Sequence, residues 1–424
     1  MMAYTETKTT GFFQRIGSSF AGIGAGILLF LGASWWLYHN EGDYVYTGDA
    51  ITEAQRAFVE LPEITKLDSS FEGKLVHATG MTATKDTLTD NIFGLQTVAV
   101  KLQRKAEYYQ WTESSRTETR KKLGGGEEQV TTYTYSQAWV NSPVDSGAFK
   151  DQQYIGRNSV LANIPEETIV APNVTFGAYT LPQFLKNSIS GDIPLNVQLT
   201  DQKLAELTKY INPTAAKSGT SQPNSSPWDQ MPGYGRTDDA VASQAGVHVL
   251  GNSVYLGITP ASPRIGDVRV TFTEVKPAQI SIVAKVIGNT FEQYRSSNGK
   301  TFSAFSMGSI GAEKIFADAH AGNSMMTWIV RIVGILLVIT GLKMVMAPLS
   351  VLASVIPLLG SIVGAGTGIV AFLLGLAWSL IVIAISWLIF RPLIGGALVL
   401  VAMALVALLY KKGRNRKAAE AALQ

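Results

Sequence analysis

The stretch Met344–Phe390, MVMAPLSVLASVIPLLGSIVGAGTGIVAFLLGLAWSLIVIAISWLIF, contains no charged side chain, and after Arg391 the run Pro392–Tyr410 is again uncharged. A helix rises about 1.5 Å per residue, so roughly 20 apolar residues cross the core of a bilayer. A helix buried in a soluble core has no reason to be this long and this apolar on every side. Working outward, the pattern predicts three membrane helices near the C-terminus: 328–347, 360–385 and 393–410.

At the other end, 16–38 is apolar and uncharged and closes on Trp35, Trp36 and Tyr38. Its core is longer than that of a signal peptide, and a bulky Trp-Trp pair stands where cleavage would fall. It reads as an uncleaved anchor. Trp35, Trp36 and Tyr38, with Trp328, Trp387 and Arg391, fit a belt of side chains at the membrane surface. Lys8 and Arg15 precede the first span, Glu41 and Asp43 follow it, and Lys411-Lys412-Gly-Arg414-Asn-Arg416-Lys417 follows the last. Basic flanks stay inside, so 1–15 and the basic tail 411–424 are expected to be cytoplasmic, with 39–327 on the far side. The expectation is a four-helix α+β membrane protein, one span N-terminal and three C-terminal, carrying a large β-rich extracytoplasmic domain.

Charged residues are 16% of the 424, and the net charge of +3 averages two unlike parts. The region Asn40–Thr327 carries 25 Lys and Arg against 30 Asp and Glu. No basic stripe for nucleic acid lies there. The absence of cysteine excludes disulfides, thiolate metal sites and cysteine nucleophiles.

Within the domain, Asp49–Leu61 has helical spacing of Ile51, Ala54, Phe58 and Leu61. Short β runs follow at Lys74–Thr79 and Thr97–Leu102. The strongest local signal is Ala106–Glu118 and Gln129–Val140 either side of Gly124-Gly125-Gly126. Tyr109 and Trp111 alternate on one arm, and Tyr133, Tyr135 and Trp139 on the other, which predicts a long twisted hairpin with a solvated polar tip. Leu199–Ile211 reads as a helix capped by Thr200, and 213–246 as a flexible loop. Strands are expected at Val268–Phe272, Ile280–Val286 and Phe302–Met307. Gly311–Asn323 reads as a helix lying on the membrane or running straight into the second span.

In the spans, Gly22 and Gly26, and Gly360, Gly364 and Gly368, repeat every four residues, a spacing that lets helix backbones approach. The natural expectation is that the first and third spans pair through them, within a subunit or between subunits. Arg331 and Lys343 lie near opposite ends of the second span, where snorkelling to the headgroups accounts for them. None of the four histidines has a partner at metal spacing, and no nucleophile motif occurs. No catalytic residue, cofactor or metal is expected. The spans offer almost no polar path for a transporter or channel. A site acting on lipid where the domain meets the bilayer stays open as an alternative.

The strings Glu107-Tyr-Tyr-Gln-Trp111, Tyr133–Trp139, Gly266-Asp-Val-Arg-Val270, Asn323-Ser-Met-Met-Thr-Trp328, Gly341-Leu342 and Trp387-Leu-Ile-Phe-Arg-Pro392, in this order, resemble the LUMA family of membrane proteins. That resemblance implies a non-enzymatic scaffold that self-associates and organises membranes or other membrane proteins, with membrane stress as a setting. The expected partners are membrane lipids and further copies of the chain, and no nucleic acid. The expected membrane is a bacterial inner membrane with the domain periplasmic, or the endoplasmic reticulum or inner nuclear membrane in a eukaryote. The β-rich halves are also similar to the domain between the spans of MULAN-type ligases, but there are no RING cysteines to carry that activity.

Overall fold

A computed structural model describes residues 3–211, 235–236, 245–393, 395–397 and 400. Three helices dominate it: Phe12–Ala57, Ala312–Ala353 and Pro357–Phe390. Each contains a stretch long and apolar enough to cross a membrane. The expected fourth span, 393–410, falls mostly outside the described residues, the tail 411–424 wholly outside, and most of the 213–246 loop likewise.

The boundaries differ from expectation for a physical reason. The first span and the separate helix expected at Asp49–Leu61 are one helix. No proline interrupts 39–57, and Gly42, Val45, Ala50, Ile51 and Ala54 are buried along it, so packing carries the helix through its polar middle. Gly311–Asn323 runs straight into the second long helix, which contains Pro348. The break at Ser354–Ile356 is followed by Pro357 in the first turn of the third helix, where its missing N–H leaves no bond unmade.

The β part forms an eight-stranded and a seven-stranded sheet. In the larger, Val268–Val275 pairs antiparallel with the first part of Lys101–Lys121, matching Val270 to Ala106. In the smaller, Leu75–Ala83 pairs antiparallel with Gln279–Ile287, matching Val76 to Ala284. One core packs Val76, Phe176, Tyr179, Ile282 and Phe291. A second packs Phe93, Tyr108, Val270 and Phe272 under the helix Asp201–Ile211, through Leu207 and Ile211. The Thr200 hydroxyl caps that helix by accepting from the Lys203 N–H at 3.2 Å. A third core ties the sheets to the long helices: Ile51 and Ala54 of the first and Ile315 and Phe316 of the second pack on Leu75, Val283 and Phe302.

The hairpin is present and longer than expected, Lys101–Lys121 against Glu127–Val140, with Tyr109 opposite Trp139 and Lys121 opposite Glu127. Gly124 and Gly125 turn it at φ of 84° and 82°, a region L side chains rarely adopt. A third strand was not expected. Ala3–Thr10, read above as a polar cytoplasmic leader, pairs antiparallel along the outer arm from Thr134 to Glu127. Its alternating threonines, Thr5, Thr7 and Thr9, are the signal that reading passed over.

Candidate functional site: a buried ion pair, an apolar bundle and a polar ribbon

Where the helices leave the folded domain, Arg331 donates to both oxygens of Glu41, at 2.6 and 2.7 Å. The side chains are 9% and 1% exposed. The Trp387 indole N–H donates to the same Glu41 carboxylate at 2.8 Å. The guanidinium lies 4.8 Å from the Trp328 ring centre and 5.8 Å from that of Trp387. Arg391 covers Tyr44 at 4.7 Å. Arg331 is therefore held inward by Glu41 and does not snorkel. Opposite charges near the ends of two apolar spans were the available sign of this pairing.

The expected surface side chains gather at this level. Trp35 and Trp36 are exposed, Trp328 is exposed on its outer face, and Tyr38 packs against Phe390 with ring centres 5.3 Å apart. The geometry joins three of the six, Trp328, Trp387 and Arg391, to the polar cluster around Glu41.

Within one chain the glycines sort differently from a first-to-third pairing. A Cβ on Gly26 would stand 2.8 Å from the Gly341 carbonyl oxygen, and one on Gly341 would stand 2.8 Å from the Gly26 oxygen. The close backbone crossing is thus between the first and second helices. Gly364 faces Ser350 of the second helix, while nothing lies within 4 Å of a Cβ on Gly22 or Gly368. Gly360 lies on the third helix. The third helix meets the first through Phe390 on Gly42 and through Trp378, whose N–H donates to Ser34 Oγ at 3.0 Å.

At the opposite end of the bundle stands the hairpin tip. Arg15, in the first turns of the first helix, pairs with Glu127 at 3.0 Å and donates to the Gly125 carbonyl at 2.5 Å and to Ser354 Oγ at 3.1 Å. The Gly124 N–H donates to the Val355 carbonyl at 3.1 Å. Phe12 lies against Gly125, leaving no room there for a side chain. The tip was expected in solvent beside the domain. It is exposed at Lys122 and Leu123, yet docked on the far ends of the long helices.

The three-stranded ribbon therefore runs the length of the apolar bundle. From Tyr109 to Lys121 it extends about 40 Å at roughly 3.3 Å per residue. From Arg15 to Glu41 the first helix rises about 39 Å. Both exceed a hydrocarbon core of about 30 Å. Directly paired residues share a face. One face carries Ser114, Arg116, Glu118, Arg120, Glu128, Thr132, Thr134, Thr5 and Thr7, with Val130 among them. The other carries Ser115, Thr117, Thr119, Thr131, Gln129, Glu6 and Lys8, with the paired rings of Tyr4 and Tyr133. Hydroxyls bond between strands on each face, Ser114 with Thr134 at 2.7 Å on the first and Thr117 with Thr131 at 2.9 Å on the second. Each charged side chain at the centre of a bilayer costs about 2.5–3.5 kcal/mol, and each unpaired backbone group several more. Neither face of this ribbon can meet lipid tails.

Chemistry elsewhere is sparse. His77 bonds Glu60 at 2.7 Å and the Ile310 carbonyl at 3.0 Å. Tyr255 donates to the buried carboxylate of Asp267, which also accepts from the Arg264 N–H at 2.8 Å. Burial raises the Asp267 carboxyl above its ordinary range despite these bonds, and burial followed by the bond to Asp267 raises the Tyr255 phenol. Among the described residues no three His, Asp or Glu side chains assemble as a metal site.

Apolar helices clamped to one another by a buried ion pair and packed on a β-rich body define an integral membrane protein of mixed α+β architecture. The family model for Transmembrane protein 43 matches residues 108–392, from the hairpin to the end of the third helix, and the chain belongs to that family. It is 25% identical over 420 residues to Transmembrane protein 43 of Rattus norvegicus, covering 97% of this chain and 94% of the relative. It is 24% identical to the Homo sapiens protein over 97% of this chain and 95% of the relative. It is 26% identical to the Drosophila melanogaster homolog over 88% of this chain and 90% of the relative. No solved structure matches.

Proposed function

We propose that this protein is a non-enzymatic membrane scaffold that self-associates and organises membrane-protein assemblies around itself. The observation that carries the reading is the strand Ala3–Thr10. It ends the eight-stranded sheet, and among the described residues its outer edge pairs with no other strand. An open edge is a template for another chain, and beside apolar helices its backbone groups must find partners or water. A second copy supplies both. Membrane lipids around the Trp35–Trp36 and Trp328 surfaces, and other membrane proteins, complete the expected partners. With the basic flanks inside, the folded body lies in the periplasm of a bacterium or the lumen of a eukaryotic endomembrane; the animal relatives fit the second.

The test is chemical cross-linking of the full chain in native membranes, followed by mass measurement after extraction in mild detergent. A defined multimer by both routes is expected. A monomer by both overturns the reading.

A further inference from the structure

The polar path that the apolar helices lack is present in the ribbon. We infer that several copies close their ribbons around a water-filled passage across the membrane, one that takes small hydrated ions and polar solutes. This rests on the self-association proposed above and goes beyond it.

Three observations carry the inference. The ribbon spans the apolar bundle from the Glu41–Arg331 pair to the Arg15–Glu127 pair, and both its faces carry charged and hydroxyl side chains, interrupted by Val130 on one and Tyr4 and Tyr133 on the other. Charged and hydroxyl side chains at that depth are stable where they line water and not where they meet lipid. Second, among the described residues the ribbon has two open edges, one on Ala3–Thr10 and one on Lys101–Lys121 beyond Trp111, whose backbone N–H and carbonyl are still closed by Asn158. Both strands run antiparallel to Glu127–Val140, hence parallel to each other. Joining the first edge of one copy to the second edge of the next repeats one head-to-tail contact, which closes into a ring when its rotation divides a full turn. Closure removes both edges at once. Third, Lys343 is exposed on the second helix, about 18 Å by helical rise from Arg331 and about 16 Å from Ser354. The helix runs on to Ala353, beyond the span end expected at 347, so Lys343 stands farther from an end than its snorkelling reading supposed, and a cation there calls for water or a polar partner.

The side of the ribbon that carries Glu127 turns to the helices at the tip. Above the tip both sides are exposed, Ser115, Thr117 and Thr119 as well as Ser114, Arg116 and Glu118, and the side turned from the helices at the tip, with Arg116, Glu118, Arg120, Val130 and Thr132, is the one assigned to the passage. Arg116, Glu118 and Arg120 are 83%, 54% and 69% exposed. Basic and acidic groups alternate along this lining, so it presents no field of one sign and discriminates by size more than by charge.

The chain has no cysteine, so single-cysteine variants report cleanly. Full-length Thr132→Cys, and Thr5→Cys as a second site, are reconstituted in phosphatidylcholine vesicles with Leu31→Cys as a lipid-facing control. The probe is the water-soluble, membrane-impermeant cation methanethiosulfonate ethyltrimethylammonium, with potassium flux as the second readout. Rapid modification of Thr132→Cys and Thr5→Cys, slow modification of Leu31→Cys, and a flux that falls by more than half on modification are expected. A multimer in which both ribbon cysteines resist the reagent and no flux occurs overturns the passage and leaves the scaffold standing. A monomer overturns both.

Discussion

Glu41 and Arg331 come from opposite ends of the sequence and meet where water ends. A buried pair of this kind adds little over an apolar pair of the same shape, yet removing one partner strands the other. Arg331→Ala is expected to lower unfolding stability by about 3–5 kcal/mol, measured by tryptophan fluorescence during denaturation in detergent. The double variant Glu41→Gln, Arg331→Met should recover most of that loss. Stability equal to wild type in Arg331→Ala would refute the pairing. Asp267 gives a pH-dependent counterpart. Its folded-state carboxyl holds its proton more tightly than in the unfolded chain. Its contribution to stability is therefore complete below the ordinary carboxylate value of 3.8 and is lost as pH rises through the raised folded value. Relative to Asp267→Asn, the wild type should lose thermal stability as pH rises above 3.8, and a difference that stays constant as pH is raised would contradict this assignment.

Among the elements, the first and second helices cross closest, at Gly26 and Gly341. A side chain on Gly26 meets backbone across the interface, which cannot move aside as a flexible side chain would. Gly26→Leu is expected to cost about 1–3 kcal/mol or more through forced separation of the helices. Gly22→Leu, which points into open space, should stay within about 0.5 kcal/mol of wild type. Equal melting temperatures for the two variants would sink the assignment. Spacing of small residues every four positions was legible in the sequence, but which face a helix presents depends on its rotation, and the pattern holds no record of that. The hairpin was legible because Tyr109, Trp111, Tyr133, Tyr135 and Trp139 alternate around a glycine turn. Its destination was not, because Arg15 and Val355 lie far away in the sequence and neither is unusual in its own neighbourhood.

Taken whole, the apolar helices announced a membrane protein, since no other environment accepts so many uncharged residues in succession. The β strands were mostly placed as expected, whereas their partners were not: Leu75–Ala83 pairs with Gln279–Ile287 across most of the domain. Pairing over such separations is decided by which apolar faces fill a common core, and local alternation is silent on that. The polar leader escaped notice because its strand exists only when the hairpin lies beside it.

The helix Phe12–Ala57 runs unbroken from the docked tip into the third core, about 69 Å by helical rise. It has no joint at the water's edge, and the Ala312–Ala353 helix beside it is likewise continuous there. Such a pair behaves as a stiff lever. A tilt of about 10° within a thinning or bending bilayer would carry its outer end sideways by about 12 Å over that length, and the body gripped at Ile51 and Phe316 must swing with it.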